Sequence, residues 1–357
     1  MRFINAVSSS EPEKNARKIA RDGMLSFGID YLDDAMLGIL PNDLILIGAG
    51  SGAGKTQICT NIAAANIARN RRVHYIALEA EQFEIERRIK YQIFSKLYYT
   101  KRLQERNGPI SFQKWVMGDY LDSTREIEEM TTEEFSRNYS NLFVLYKTGK
   151  FDVNDLIFHV VACASETDLI IVDHVHYFDY DDTKENQAIK EIAKTARSLT
   201  LEQSKPMILV SHLRKRDKYS DELCPGLEEF HGSSDLYKIA TKAITIAPGE
   251  VVSGGNYATY FRIVKNRFDG GVTRYMGRAE YSHYKGSYER GYKVGRSNQK
   301  REDGFASLDL LLYPEWAKRG GEGSSDSIAP QRGTFLPPQN PRGQSSFAGI
   351  NGFSKGK

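Results

Sequence analysis

The sequence predicts an α/β fold built on a largely parallel, doubly wound sheet flanked by helices. Three observations carry that expectation. Short apolar runs alternate with helical patterns from about residue 28 to residue 284. The runs are continuous rather than alternating, which suits strands buried on both faces. A glycine-rich loop over residues 49–56 joins one such run directly to a helical pattern.

The elements follow in order. Residues 1–24 form an N-terminal segment whose charged stretch, 11–22, reads as one short helix. The first strand spans 44–47 and runs through the glycine-rich loop into a helix over 56–70. There Ile58, Ile62, Ala65 and Ala68 recur at helical spacing. The second strand spans 73–78. Residues 91–140 are aromatic and charged with helical stretches. They read as a helical insertion between core strands, with no function legible from composition. A strand at 142–146, a helix at 153–166, a strand at 169–172 and a helix at 184–203 continue the alternation. Strands at 207–210 and 243–246 complete it. Two more, 257–264 and 273–277, flank Asp269-Gly270-Gly271, which reads as the turn of a C-terminal β-hairpin. The core is therefore expected over 25–290, with an extension over 291–357. From about Ala317 that extension is rich in Gly, Ser, Pro, Gln and Asn, and is expected to be disordered for want of apolar surface. No repeat of solenoid length is present.

Composition limits the function. Among 357 residues, 49 Lys and Arg against 46 Asp and Glu leave a formal charge of +3, which excludes polyanion binding by bulk charge and leaves room for a local basic site. No apolar run approaches the roughly 18 residues of a membrane helix, and the polar N-terminus lacks a secretory signal. Cys59, Cys163 and Cys224 have no metal-type spacing. A reducing, cytoplasmic setting is expected, with no membrane partner.

The loop Ala49-Gly50-Ser51-Gly52-Ala53-Gly54-Lys55-Thr56 matches a P-loop except that Ala49 stands where the pattern has its first glycine. Gly50, Ser51, Gly52, Ala53, Gly54, Lys55, Thr56 and Gln57 are the expected ATP-binding residues. Successive backbone N–H groups must converge on phosphate oxygens, which glycine allows, and the helix N-terminus adds partial positive charge. Lys55 is placed to reach the β- and γ-phosphates, and the Thr56 hydroxyl to hold Mg²⁺. Asp173 closes an apolar strand in the manner of a Walker B acid and is the second expected Mg²⁺ ligand. Glu79 ends the strand after the P-loop helix, where a carboxylate can polarise the attacking water. Glu81, Glu84 and Glu86 follow closely, so a solvated acidic face is the competing reading. His212, after the strand at 207–210, stands where P-loop ATPases place a γ-phosphate sensor. A histidine merely hydrogen-bonded at a strand end is the alternative. His174 and His176 beside Asp173 and Asp179 match no zinc spacing.

The motif order resembles the RecA-like motor domain of hexameric replicative DNA helicases of the DnaB type. Phage primase–helicases and the mitochondrial Twinkle helicase are the most similar in look. The resemblance rests on Gly28 to Leu32, the P-loop, Ile76-Ala77-Leu78-Glu79, Ile171-Val172-Asp173-His174, Val210-Ser211-His212-Leu213 and Lys265-Asn266-Arg267-Phe268, and covers about residues 25–285. It implies that Glu79 is the catalytic glutamate and His212 the γ-phosphate sensor. It also implies that Lys265 and Arg267 reach across a subunit interface, Arg267 as an arginine finger. Spaced two apart on a strand, the pair should project from one face. An exposed strand of alternating charge is the plainer reading.

Residues 230–236 loosely match a DNA-facing loop of that family, His231 standing where the family has arginine. His231, Gly232 and Ser233 are thus candidate DNA contacts through amides and hydroxyls. Arg214, Lys215, Arg216 and Lys218 form the densest basic run of the core. They read first as a solvated loop and second as phosphate contacts. The resemblance implies an ATP- and Mg²⁺-dependent helicase, a homo-oligomeric ring, expected hexameric, translocating on single-stranded DNA in replication. With about 25 residues before the core, no collar or primase domain is expected there. A separate primase or loader would then be needed, with residues 11–22 as a linker helix. The tail is equally a partner tether or inert. A RecA- or KaiC-like ATPase that binds DNA or protein without unwinding is the alternative.

Overall fold

The computed structural model describes residues 5, 7, 9–213, 224–230, 234–251, 256–268, 275–282 and 287–296. Nineteen helices and strands are used below, named in chain order. They open with α1 (Ser10–Asp22), α2 (Asp30–Met36), β1 (Leu44–Ala49), α3 (Lys55–Ile67) and β2 (Val73–Ala77). Next come α4 (Glu84–Thr100), α5 (Gln104–Asn107), α6 (Phe112–Val116), α7 (Arg125–Asn138), β3 (Leu142–Tyr146), α8 (Val153–Cys163) and β4 (Leu169–Asp173). The last are α9 (Glu185–Gln203), β5 (Met207–His212), α10 (Ser234–Ile239), β6 (Lys242–Val251), β7 (Asn256–Asn266), β8 (Tyr275–Ser282) and β9 (Ser287–Arg296).

One sheet runs in the order β3-β2-β4-β5-β1-β6-β7-β8-β9. The six strands from β3 to β6 are parallel, and β7, β8 and β9 add on as antiparallel neighbours. The expected α/β sheet is therefore present and mixed, mostly parallel. Both faces are covered at β1, β4 and β5, which is why those parallel strands read as unbroken apolar runs. On one face Ile45 and Ile47 pack with Ile58, Ile62 and Phe27, and on the other Leu44 and Leu46 pack with Leu156, Ile192 and Leu199. Neighbouring residues on β1 thus serve opposite layers, as a strand period of two requires.

The insertion starts earlier than expected. Helix α4 begins at Glu84, and its Ile85, Ile89 and Ile93 belong to the main core. Its Tyr91, Phe94 and Tyr98 turn instead into a separate cluster with Ile110, Trp115 and Ile127. The Tyr91 hydroxyl donates to the Ile110 carbonyl at 2.8 Å, and Trp115 Nε1 donates to Glu128 at 2.8 Å, so these buried rings have polar partners.

The C-terminal part is larger than a hairpin. Strand β6 runs five residues past the expected end at Ile246, and β9 is an additional edge strand that crosses the expected domain end at 290. Its sequence, SYERGYKVGR, lacks an apolar run because an edge strand is kept charged against further pairing. The expected turn at Asp269-Gly270-Gly271 and the extension beyond 296 lie outside the described residues. Helix α1 has no buried residue. Among the described residues no helix is long and apolar enough to cross a membrane.

Candidate active site

Four adjacent strands, β2, β4, β5 and β1, end along one edge of the sheet, and each delivers one polar residue there. Glu79 follows β2, Asp173 ends β4, His212 ends β5, and Lys55 opens the helix after β1. Carboxyl ends of parallel strands are where open α/β sheets bind ligands. Apolar strand interiors fix these ends, so each polar residue appears where its strand leaves the core.

The loop between β1 and α3 has Gly52 at φ 72° and Gly54 at φ 90°, a left-handed conformation that disfavours side chains. Ala49 is still a regular strand residue, paired with His212 and Ile246, so its departure from the glycine pattern demands no special backbone. Lys55 is buried, and its Nζ donates to the Gly50 carbonyl at 3.1 Å and lies 3.1 Å from His212 Nδ1. Burial pushes the Lys55 ammonium below its ordinary pKa, while Glu79 and Asp173 oppose that shift. Residues Ser51 to Gln57 with Glu79 and His212 line a cavity of about 780 Å³, large enough for a nucleotide.

Asp173 is 2% exposed, and burial raises its carboxyl pKa. The Tyr75 hydroxyl donates to its Oδ2 at 2.8 Å. Its Oδ1 makes no hydrogen bond of good geometry, and the nearby Thr56 hydroxyl favours its ionised form. An orphaned buried carboxylate oxygen beside a threonine hydroxyl is a donor set suited to a hard, oxygen-seeking cation such as Mg²⁺.

Glu79 is exposed at the cavity and its Oε2 approaches His174 Nε2 at 2.9 Å. His174 is fully buried. Burial first, then the neighbouring His212, His176 and Lys55, push its pKa down to about 2. The Glu79–His174 contact is thus between a carboxylate and a neutral ring rather than an ion pair. Tyr177 donates weakly to Glu79 Oε1 at 3.4 Å, and the Glu79 amide faces the Asp173 carbonyl at 3.4 Å. His174 and His212 meet edge to face with ring centroids 4.2 Å apart. His176 lies 3.2 Å from the Ser211 hydroxyl and 3.3 Å from Glu185.

Lys265 and Arg267 are not brought to this cavity. Arg267 follows β7 rather than lying on it. Its amide donates to the Thr241 carbonyl, and the Thr241 amide to that of Leu44. Both residues therefore sit at the N-terminal end of β1, a full strand of roughly 20 Å from the glycine-rich loop. The Lys265 ammonium donates to the carbonyls of Tyr237, at 2.5 Å, and Lys238, at 2.8 Å, capping the end of α10. Burial and the neighbouring Arg267 and Arg197 lower its pKa to about 8. Arg214, Lys215, His231, Gly232 and Ser233 lie outside the described residues. The residues flanking these positions, Leu213 and Phe230, pair in an antiparallel bridge directly after His212.

Tyr75 and the place of His174 between Glu79 and His212 are what sequence reasoning missed. A tyrosine inside an apolar strand signals a buried hydroxyl needing a partner, but which strand lies alongside is not written locally. Arg88, Tyr91 and Phe112 of the insertion and Tyr257, Tyr281 and Tyr288 of the antiparallel strands also line the cavity. They too come from segments that carry no motif.

Many solved structures share the fold, and two serve for comparison. One, an ATPase domain, is 18% identical with a TM-score of 0.66, covering 81% of this chain and 99% of that one. The other, a DnaB-like replicative helicase described with its primase interactions, is 17% identical with a TM-score of 0.63, covering 81% and 67% respectively. At those identities the likeness speaks for the RecA-like fold alone. No curated protein matches the chain. The family model for the DnaB-like helicase C terminal domain matches residues 24–272, well over half of the sequence, and the chain belongs to that family.

Proposed function

We propose that this chain is an ATP-hydrolysing DNA motor that assembles into a ring, expected hexameric, and moves along single-stranded DNA as a helicase. The observation that carries this reading is the gathering of Lys55, Thr56, Asp173, Glu79 and His212 at one end of four adjacent strands, around one nucleotide-sized cavity. Amides of residues 50–56 cradle the phosphates, and Lys55 turns from the Gly50 carbonyl to the β- and γ-oxygens. Thr56 and Asp173 would hold Mg²⁺, which would supply neutralisation of phosphate charge. Glu79 orients a water and takes its proton as the water oxygen bonds the γ-phosphorus and ADP departs. His212 touches Lys55, and the segment carrying Arg214 and Lys215 begins directly after it. The presence of the γ-phosphate thereby reaches the candidate DNA-contacting residues through one strand end.

Arg267 and Lys265, remote from their own cavity, act on the nucleotide of a neighbouring copy. A primase or loader on another chain completes the working assembly. A DnaB-like replicative helicase of this fold is described together with its primase interactions.

Steady-state ATP hydrolysis with and without single-stranded DNA tests the reading. DNA should stimulate turnover, and Glu79→Gln should lower it by about 100-fold or more. Turnover indifferent to DNA would remove the motor.

A further inference from the structure

We propose that Glu79, His174 and His212 together form a binding site for a divalent transition metal of the Zn²⁺ class, whose occupation switches the proposed ATPase off. One ligand atom from each residue lies within 4.8 Å of the other two. The three arrive from the ends of β2, β4 and β5, so no spacing in the sequence announces them. His174 is fully buried, and neither of its ring nitrogens makes a hydrogen bond of good geometry. Its Nε2 lies 2.9 Å from Glu79 Oε2. A buried polar atom without a partner is unfavourable, and a metal ion satisfies it.

The ligand chemistry selects the ion. Two imidazoles and one carboxylate suit Zn²⁺ and its neighbours, whereas Mg²⁺ and Ca²⁺ prefer all-oxygen sets. Zinc–nitrogen bonds of about 2 Å place tetrahedral ligand atoms roughly 3.3 Å apart, so the widest pair closes by up to about 1.5 Å to bind. The fourth position opens to water in the cavity that Glu79 and His212 line. The Lys55 ammonium beside His212 opposes a second cation, and the carboxylates of Glu79 and Asp173 offset it. The site is distinct from that of Mg²⁺, which uses Thr56 and Asp173.

Occupation has a defined consequence, which rests on the proposed hydrolytic role of Glu79. The carboxylate that should orient water becomes a metal ligand, and His212 is drawn from Lys55. The glycine-rich loop is untouched. Nucleotide binding therefore persists while hydrolysis stops.

The test titrates the full chain, free of nucleotide, with Co²⁺ and then Zn²⁺. One Co²⁺ per chain should give the visible bands of a four-coordinate nitrogen and oxygen site, and Zn²⁺ should displace it. Glu79→Gln, at an exposed position that folding tolerates, and His174→Asn should each weaken Zn²⁺ binding at least about tenfold. With Zn²⁺ bound, a fluorescent ATP analogue should still bind while hydrolysis falls at least about tenfold. Lack of the visible bands, a thiolate charge-transfer band placing the ion on cysteine, or unchanged affinity in both variants would overturn the site. Should the metal-free protein fail to hydrolyse ATP, the proposed function fails, and the cobalt titration still decides the site.

Discussion

Around Asp173 and His174 the protein buries ionisable side chains that ordinary folding pressure would leave in water. Asp173 Oδ2 accepts from the Tyr75 hydroxyl at 2.8 Å, Oδ1 makes no hydrogen bond of good geometry, and the Thr56 hydroxyl favours the ionised carboxyl. His174 has the clearer consequence for stability. Its folded pKa of about 2 lies below the value of about 6.5 expected when unfolded. Between those values the unfolded chain holds a proton that the folded chain refuses. Stability is therefore full above about pH 6.5 and falls as pH drops, by up to about 1.4 kcal/mol per pH unit. Urea midpoints at pH 7.5, 6.5 and 5.5 should decline for the native sequence and decline less for His174→Asn. Equal slopes would show that the ring does not bear this cost. Lys55 and Thr56 were legible in the sequence through the glycine-rich pattern before them, and Asp173, Glu79 and His212 because each stands at or just past the end of an apolar run. Tyr75 and His174 act through neighbours on other strands, and strand order is a tertiary fact.

At the scale of elements, β1 is central, flanked by β5 and β6 and opening into the glycine-rich loop. Its entry is fixed by a buried ion pair. Lys242 Nζ, fully buried at the start of β6, donates to Asp43 Oδ2 at 2.7 Å and to the Gly38 carbonyl at 2.8 Å. Asp43 also accepts from the Leu40 amide and the Thr241 hydroxyl. Replacing such a pair entirely is often tolerated, whereas removing one partner strands a charge. Lys242→Met should thus lose about 3–5 kcal/mol in urea unfolding, and adding Asp43→Asn should recover part of it. A loss under about 1 kcal/mol for the single variant would show that the pair does not hold β6 against β1. The parallel strands were readable because both of their faces are apolar. Strand β9 and the length of β6 were not, because an edge or a one-sided strand keeps charges and glycines. The helical insertion expected over 91–140 begins earlier, with α4 at Glu84, because Ile85, Ile89 and Ile93 continue the main core before the aromatic cluster begins.

For the whole molecule, the decisive fact is a separation. Lys265 and Arg267 stand at the opposite end of β1 from Gly50 to Thr56, so one chain cannot supply both halves of a site containing them. If a ring forms through a repeated head-to-tail contact, each copy offers its cavity on one side and its Arg267 on the other. The proposal then predicts complementation between defective chains. Lys55→Ala should lose turnover for want of phosphate binding, and Arg267→Ala should lose it by about 1,000-fold or more for want of the neighbour's charge. Mixed in equal amounts and allowed to exchange, the two should regain activity. Only junctions that pair an intact cavity from the Arg267→Ala chain with Arg267 from the Lys55→Ala chain can work. Random assembly makes that about one junction in four under head-to-tail closure. Activity that stays at the level of the separate variants, in a mixture shown to share rings, would return Arg267 to the surface as an ordinary exposed arginine. Activity lost in Lys55→Ala but kept in Arg267→Ala would place all the chemistry within one chain. Recovery near a quarter of the native rate requires two chains at every working site, and hence an assembly as the smallest active unit.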